Sequence, residues 1–174
     1  RCLKKHVFYN IFAAPSGRIG ARERLISMAF EEYKGKVYDP VSLEIEKGRI
    51  KLFAKAVGDD NPIYTDEEVA KSSGYRGIPI PPTLPFAAIM DHELSFNMLK
   101  DMGVNLLKAM HAEQGYTYHG EICAGDVLTG SKKITDVYDK KDGALQFIVT
   151  EMPLNNQNGD HVCDLHTVVV VRNG

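Results

Sequence analysis

Cysteine is scarce in this sequence. The 174 residues hold three, Cys2, Cys123 and Cys163, an odd number without close spacing. That argues against a disulfide framework and for a reducing compartment, the cytoplasm. Long apolar runs are missing as well. No stretch reaches the roughly 18 apolar residues of a membrane-spanning helix, so no membrane is expected as a partner. Charge of one sign is not in excess either. The formal net charge is −2, which gives no reason to expect nucleic acid or an anionic surface as a partner. What remains is ordinary for a globular protein: 44% apolar and 25% charged residues, at a length that suits one domain with a sizeable core.

The first 27 residues stand apart. Arg1, Lys4, Lys5, Arg18, Arg22 and Arg24 face only Glu23, a net of +5, so the remainder carries −7. The segment 1–27 reads as a basic leader, either a targeting sequence or non-native residues ahead of Met28, and 28–174 reads as a single domain. A mitochondrial matrix location follows if the leader is a native transit segment.

Periodicity gives the rest of the order. Val41 to Ile45 alternates like a short strand. Ile50, Phe53, Ala54 and Val57 share one face of a helix that Gly58 can stop. Asp66 is placed to cap a short helix ending at Gly74. Gly77 to Pro85 holds four prolines and reads as a rigid, extended connection. Thr83 then caps an apolar helix through Leu84, Phe86, Ala88 and Ile89, and a second helix runs from Ser95 through Leu99 to Met102, closed by Gly103. From there the period becomes two. His111 to Ile122, Val127 to Val137, Leu145 to Met152 and His161 to Val171 read as strands. A Gly125-Asp126 turn and hairpin signals at Asp142-Gly143 and Asn158-Gly159 separate them. The fold class is α+β, with a helix packed on a curved antiparallel sheet.

The densest chemical signal is Phe53-Ala54-Lys55-Ala56-Val57-Gly58-Asp59-Asp60-Asn61-Pro62-Ile63-Tyr64-Thr65-Asp66. Taken alone it is a helix stop followed by a turn, and Gly-Asp and Asn-Pro are common turn pairs. The combination resembles the hydratase motif of the MaoC-like family of R-specific enoyl-thioester hydratases, Phe-Ala-x-x-Ser-Gly-Asp-x-Asn-Pro-hydrophobic-His-x-Asp. Phe53, Ala54, Gly58, Asp59, Asn61, Pro62, Ile63 and Asp66 match it. Gly74-Tyr75 with Ile78 to Pro85 is similar to the loop before that family's central helix. Tyr118-His119 and Gly125 to Thr129 are similar to the strand and turn after it. The likeness spans Val37 to Arg172.

The resemblance implies a hot-dog fold: about five curved antiparallel strands wrapped round a central helix near Thr83 to Asp91. It implies hydration of 2-enoyl thioesters, or the reverse dehydration of 3-hydroxyacyl thioesters, on coenzyme A or acyl-carrier protein. No metal and no redox cofactor is implied. Asp59, Asn61 and Tyr64 are the expected catalytic positions. Pro81, Pro82, Thr83, Leu84 and Arg76 are the expected substrate contacts, with backbone N–H groups opening the central helix as an oxyanion site. A homodimer, or a heterodimer with a second hot-dog subunit, is expected.

Two departures matter. Tyr64 stands where the family has histidine, and Pro81-Pro82 stands where it has His-Gly. Both are similar to the degenerate half of double-hot-dog hydratases and to the non-catalytic subunit of heterodimeric dehydratases. Imidazole titrates at about 6.5 and is a fit base at neutral pH, whereas a phenol titrates at about 10. Three readings stay open: a self-sufficient hydratase, an acyl-binding subunit, and a hot-dog thioesterase using a helix carboxylate, for which Asp91 and Glu93 are candidates. Other residues carry weaker signals. His111 and His119, eight apart, are expected to share a strand face. On His161-Cys163-His166, strand parity separates 166 from the other two, which disfavours a metal. Cys123 has no base at a recognisable spacing. Lys51, Lys55 and Arg76 suit phosphate contacts or a plain solvated face.

Overall fold

The computed structural model describes residues 30–92, 94–141 and 143–173. The expected leader 1–27, Met28, Glu93 and Asp142 lie outside these residues. Strand β1 is Val41–Glu44, followed by helix α1, Lys47–Val57. A 3₁₀ turn, Pro62–Tyr64, leads to α2, Glu67–Ser72. The central helix α3 is Leu84–Met90 and α4 is Leu94–Asp101. The strands β2 to β6 are Ala109–Tyr118, Val127–Gly130, Lys133–Lys140, Leu145–Asn155 and His161–Arg172. Among the described residues no helix is long and apolar enough to cross a membrane.

The expected stops do their work. Gly58 takes φ +74° at the end of α1, a left-handed conformation that lets its N–H reach back to the Ala54 and Lys55 carbonyls. Asp66 caps α2 by accepting the N–H groups of Glu68 and Val69.

All strand pairs are antiparallel, in the order β1-β3-β5-β6-β2, with β4 also on β5. The sheet therefore has six strands where about five were expected, and the single strand expected over Val127 to Val137 is two. The pairs Gly130↔Leu154 and Lys133↔Glu151 lie on one register, so β3 and β4 are in line along β5. That register puts the interruption at Ser131 and Lys132, opposite Pro153 and Met152. Pro153 has no N–H to give the ladder, which explains the break. Gly130 fits the same spot: a Cβ there would overlap the Pro153 carbonyl oxygen.

The core lies between this sheet and its helices in two parts. Leu84 and Ile89 of α3 pack with Ile50 and Ala54 of α1, Leu43, Tyr64, Tyr116, Leu128, Leu154, Cys163 and Leu165. Met98, Leu99 and Met102 pack with Phe30, Ile134, Val137, Ile148, Val169 and Val171. The first part wraps the central helix and holds the motif turn against it.

Candidate functional site

The turn after α1 is built from its own side chains. Asp59 donates its N–H to the Ala54 carbonyl at 2.9 Å, and its Oδ1 accepts the Asn61 N–H at 3.1 Å. Asn61 Oδ1 in turn accepts the Ile63 N–H at 3.2 Å and caps the 3₁₀ turn. Asn61 therefore aims the chain, and its side-chain oxygen is already in use. Asp59 is exposed, and among the described residues its Oδ2 takes no protein hydrogen bond. That oxygen is the one left for a water or a substrate.

Tyr64 ends the same turn and is buried, 8% exposed. Burial raises its pKa above the ordinary phenol value, and the charges of Asp59 and then Tyr75 push the same way. The phenol stays protonated at neutral pH. It can donate a hydrogen bond, but it cannot take a proton from water and is a poorer acid than a free tyrosine.

Two further tyrosines, which sequence reasoning read only as strand residues, hold the segment beside it. Tyr118 Oη donates to the Pro82 carbonyl at 2.8 Å, and Tyr116 Oη to the Thr83 carbonyl at 3.4 Å. Burial raises both pKa values, so both hydroxyls remain donors. Pro81 and Leu84 are buried, whereas Pro82 and Thr83 are exposed. The central helix opens with fewer donors than expected. Leu84 N–H is bound to the Pro81 carbonyl at 3.0 Å, and Pro85 has none.

Arg76 is not aimed at this segment. Its guanidinium pairs with the buried Asp126, with Glu121 3.9 Å away. Asp126 also accepts the Cys123 N–H and the Gln157 side-chain amide. Arg76 thus organises the Gly125-Asp126 turn, with half its side chain still in solvent. Lys51 and Lys55 are exposed.

The remaining candidates separate. His111 and His119 do not share a face. The register slips between His111 and Glu113, making Ala112 the extra residue of a bulge that reverses parity. His111 packs edge-on against Phe86 of the central helix at 4.9 Å between ring centroids, while His119 turns to Asp164. A bulge also corrects the reading of β6. Leu154↔Cys163 is followed by Asn155↔His161, so Val162 is extra and His161 does not share the Cys163 face. Cys163 points into the core, and His166 pairs with Glu151, so His161, Cys163 and His166 form no common site. Burial pushes the thiols of Cys123 and Cys163 up to about 12, which leaves them inert as nucleophiles. Asp91 is paired with Arg49.

Lys132 is a residue that the sequence did not mark. It is buried, 3% exposed, and burial brings its pKa down to about 8. Its charge adds to burial in lowering the pKa of His111. No pattern in Gly130-Ser131-Lys132-Lys133 distinguishes the buried lysine from the exposed one.

A family model described as "FAS1-like, dehydratase domain region" matches residues 32–165, from before β1 into β6. The chain belongs to that family. The match includes the Asp59 turn, the central helix and both tyrosine anchors. A "UPF0336 protein" of Thermobifida fusca is 30% identical over 142 residues, covering 81% of this chain and 92% of that relative. Solved structures agree on the fold. The C-terminally truncated HadBC complex of Mycobacterium tuberculosis, a 3R-hydroxyacyl-ACP dehydratase, is 24% identical with a TM-score of 0.67, covering 79% of this chain and 96% of that one. A MaoC-like dehydratase is 23% identical with a TM-score of 0.72, covering 82% of this chain and 43% of that longer one. The fold of this FAS1-like dehydratase-region member is the hot dog of those proteins, as the motif implied.

Proposed function

We propose that this chain is the acyl-thioester-binding subunit of a hydratase or dehydratase, paired with a second hot-dog subunit that supplies the missing base. The observation that carries this reading is Tyr64. The turn that aims Asp59 is intact, yet the position the family motif gives to histidine holds a buried phenol kept protonated. Asp59, exposed and in water, is left as the proton acceptor beside Tyr64, since the motif's Asp66 is engaged in capping α2. Losing a positioned acid–base partner costs about 10²–10⁴ in rate. Binding and chemistry are separable, so a scaffold can keep the first without the second.

The sheet supports a partner. Strand β2 is an edge, ten residues long, with β6 on one side and no strand among the described residues on the other. Such an edge is an invitation to pair. HadBC, a complex by its own name, shares this fold. Of the two carboxylates of the thioesterase reading, Asp91 is engaged with Arg49, and Glu93 lies outside the described residues. The free, buried thiols of Cys123 and Cys163 agree with a reducing compartment such as the cytoplasm.

The test is a hydration assay on short and long 2-enoyl thioesters with the pure chain, run beside a binding measurement with a saturated acyl thioester. Micromolar-range binding with hydration near background is expected, together with a dimer or larger mass by light scattering. Free thiol release at enzymatic rates would establish the thioesterase instead. A stable monomer that binds no thioester would remove the proposal.

A further inference from the structure

On the face of the sheet turned away from the central helix, three side chains converge that the dehydratase motif does not use. His119 Nε2 lies 2.7 Å from Asp164 Oδ2, and His161 Nε2 lies 2.7 Å from Asp164 Oδ1. The two imidazoles face each other with centroids 4.4 Å apart and ring planes at 35°. One ligand atom from each residue lies within 4.8 Å of the others. Among the described residues no other trio of His, Cys, Asp or Glu meets so closely.

The backbone holds these residues rigidly. Thr117 pairs with Asp164 and Tyr118 with Cys163, and the His119 N–H continues the ladder to the Val162 carbonyl at 2.9 Å. Residues three apart on a regular strand point to opposite faces. The extra residue at Val162 removes that mismatch and brings His161 to the Asp164 side. Two neighbouring strands and one bulge therefore set all three donors. Each remains reachable from solvent, at 39%, 44% and 33% side-chain exposure for His119, His161 and Asp164.

We infer that His119, His161 and Asp164 form a binding site for a divalent transition metal, zinc by donor chemistry, on the outer face of the β2–β6 end of the sheet. Two imidazoles and one carboxylate suit zinc or nickel better than calcium or magnesium, which prefer all-oxygen shells. Zinc binds histidine nitrogen at about 2.0–2.1 Å and carboxylate oxygen at about 2.0–2.2 Å, so tetrahedral ligand atoms lie roughly 3.3 Å apart. Opening each nitrogen–oxygen contact from 2.7 Å to that separation is a small side-chain rotation. On binding, each neutral imidazole gives its Nε2 lone pair to the metal and carries its single proton on Nδ1. Three protein ligands leave a coordination position for water. The site lies back to back with the tyrosine anchors: Asp164 alternates with Cys163 and Leu165, which pack on the inner side. A metal there would clamp β6 to β2, the strand whose two tyrosines hold the Pro82–Thr83 segment.

The experiment is zinc titration by calorimetry into full chain dialysed against chelator, with cobalt(II) absorption as a second readout. The expected result is one zinc per chain, with micromolar or tighter affinity and a rise in melting temperature of several degrees at saturation. His119→Gln, His161→Gln and Asp164→Asn should each weaken binding tenfold or more. His166→Gln, on a histidine already paired with Glu151, should leave binding unchanged. Circular dichroism of the metal-free variants separates lost binding from lost folding: a native spectrum with lost binding supports the site. No binding at millimolar zinc, or binding unchanged in folded His119→Gln and His161→Gln, overturns the inference. So does loss of binding in His166→Gln alone.

Discussion

Tyr118 in β2 donates its hydroxyl to the carbonyl of Pro82, 36 residues earlier, at 2.8 Å. The edge strand of the sheet is thereby tied to the segment that opens the central helix. Tyr118→Phe removes that bond and little else in shape. A net hydrogen bond is worth about 0.5–1.5 kcal/mol, so the melting temperature should fall by about 1–6 °C for a domain of this size. Acyl-thioester affinity should fall severalfold, because Pro82 and Thr83 lose an anchor. An unchanged affinity in a melted-down variant would confine the bond to a stabilising role.

The break between β3 and β4 makes a second prediction. The Cβ of Gly130→Ala would press on the Pro153 carbonyl oxygen and on Leu154, both fixed by β5. Overpacking against backbone costs about 1–3 kcal/mol. Urea denaturation should show the midpoint lowered with little change in slope. Pro153→Ala in the same background restores an N–H but not space, so it should rescue little of the loss.

Lys132 ties stability to pH. Its folded pKa is about 8 and its unfolded value is the ordinary 10.5. Below about pH 8 both states are protonated and the folded chain holds the lysine charge in a buried place. Between the two values the unfolded chain holds the proton and the folded chain does not, so stability rises with pH across that window. Against Lys132→Met, the wild type should gain with each step above pH 8, levelling off only beyond the unfolded value of 10.5 at about 3 kcal/mol. Tyrosine and cysteine titrations are common to both proteins and cancel in the difference. A difference flat in pH would show that Lys132 keeps a solvent-like pKa.

Much of the fold is legible in the sequence. The spacing of Ile50, Phe53 and Ala54, the glycine at 58 and the Asp66 cap place α1, the turn and α2, because local propensity and capping agree there, but Val57, expected on the same apolar face, is 56% exposed. The Asn158-Gly159 turn closes β5 onto β6 because its chemistry is strictly local. Two of the misses share one cause. A bulge at Ala112 or Val162 adds a single residue within an alternating stretch and leaves no mark in composition, yet it reverses every face assignment beyond it. His111 and His119 part for that reason, and His161 meets Asp164 for the same one. The β3–β4 break depends on a proline in a different strand, 22 residues beyond Ser131. The partners of Arg76 and the burial of Lys132 are likewise tertiary facts. So is the role of Tyr118, since its bond crosses from strand to loop.

The last prediction concerns the substituted histidine. Tyr64 is buried within the turn that positions Asp59, and it feels the charge of that carboxylate. An imidazole at 64 returns a base that titrates at about 6.5, close to the working pH, to the neighbourhood of Asp59. Tyr64→His should raise enoyl-thioester hydration tenfold or more over the isolated wild type, and adding Asp59→Asn should abolish the gain. The rise should appear in kcat, because the imidazole assists proton transfer rather than ground-state binding. Exchanging a buried phenol for a smaller ring leaves space and costs about 1–3 kcal/mol, so a melting curve must confirm that the variant is folded at assay temperature. The competing outcome is clear. If wild-type chain alone hydrates enoyl thioesters at tens per second and Asp59→Asn keeps that rate, proton transfer occurs away from this turn. His92 and His111, the latter against Phe86 of the central helix, are then the side chains to replace first.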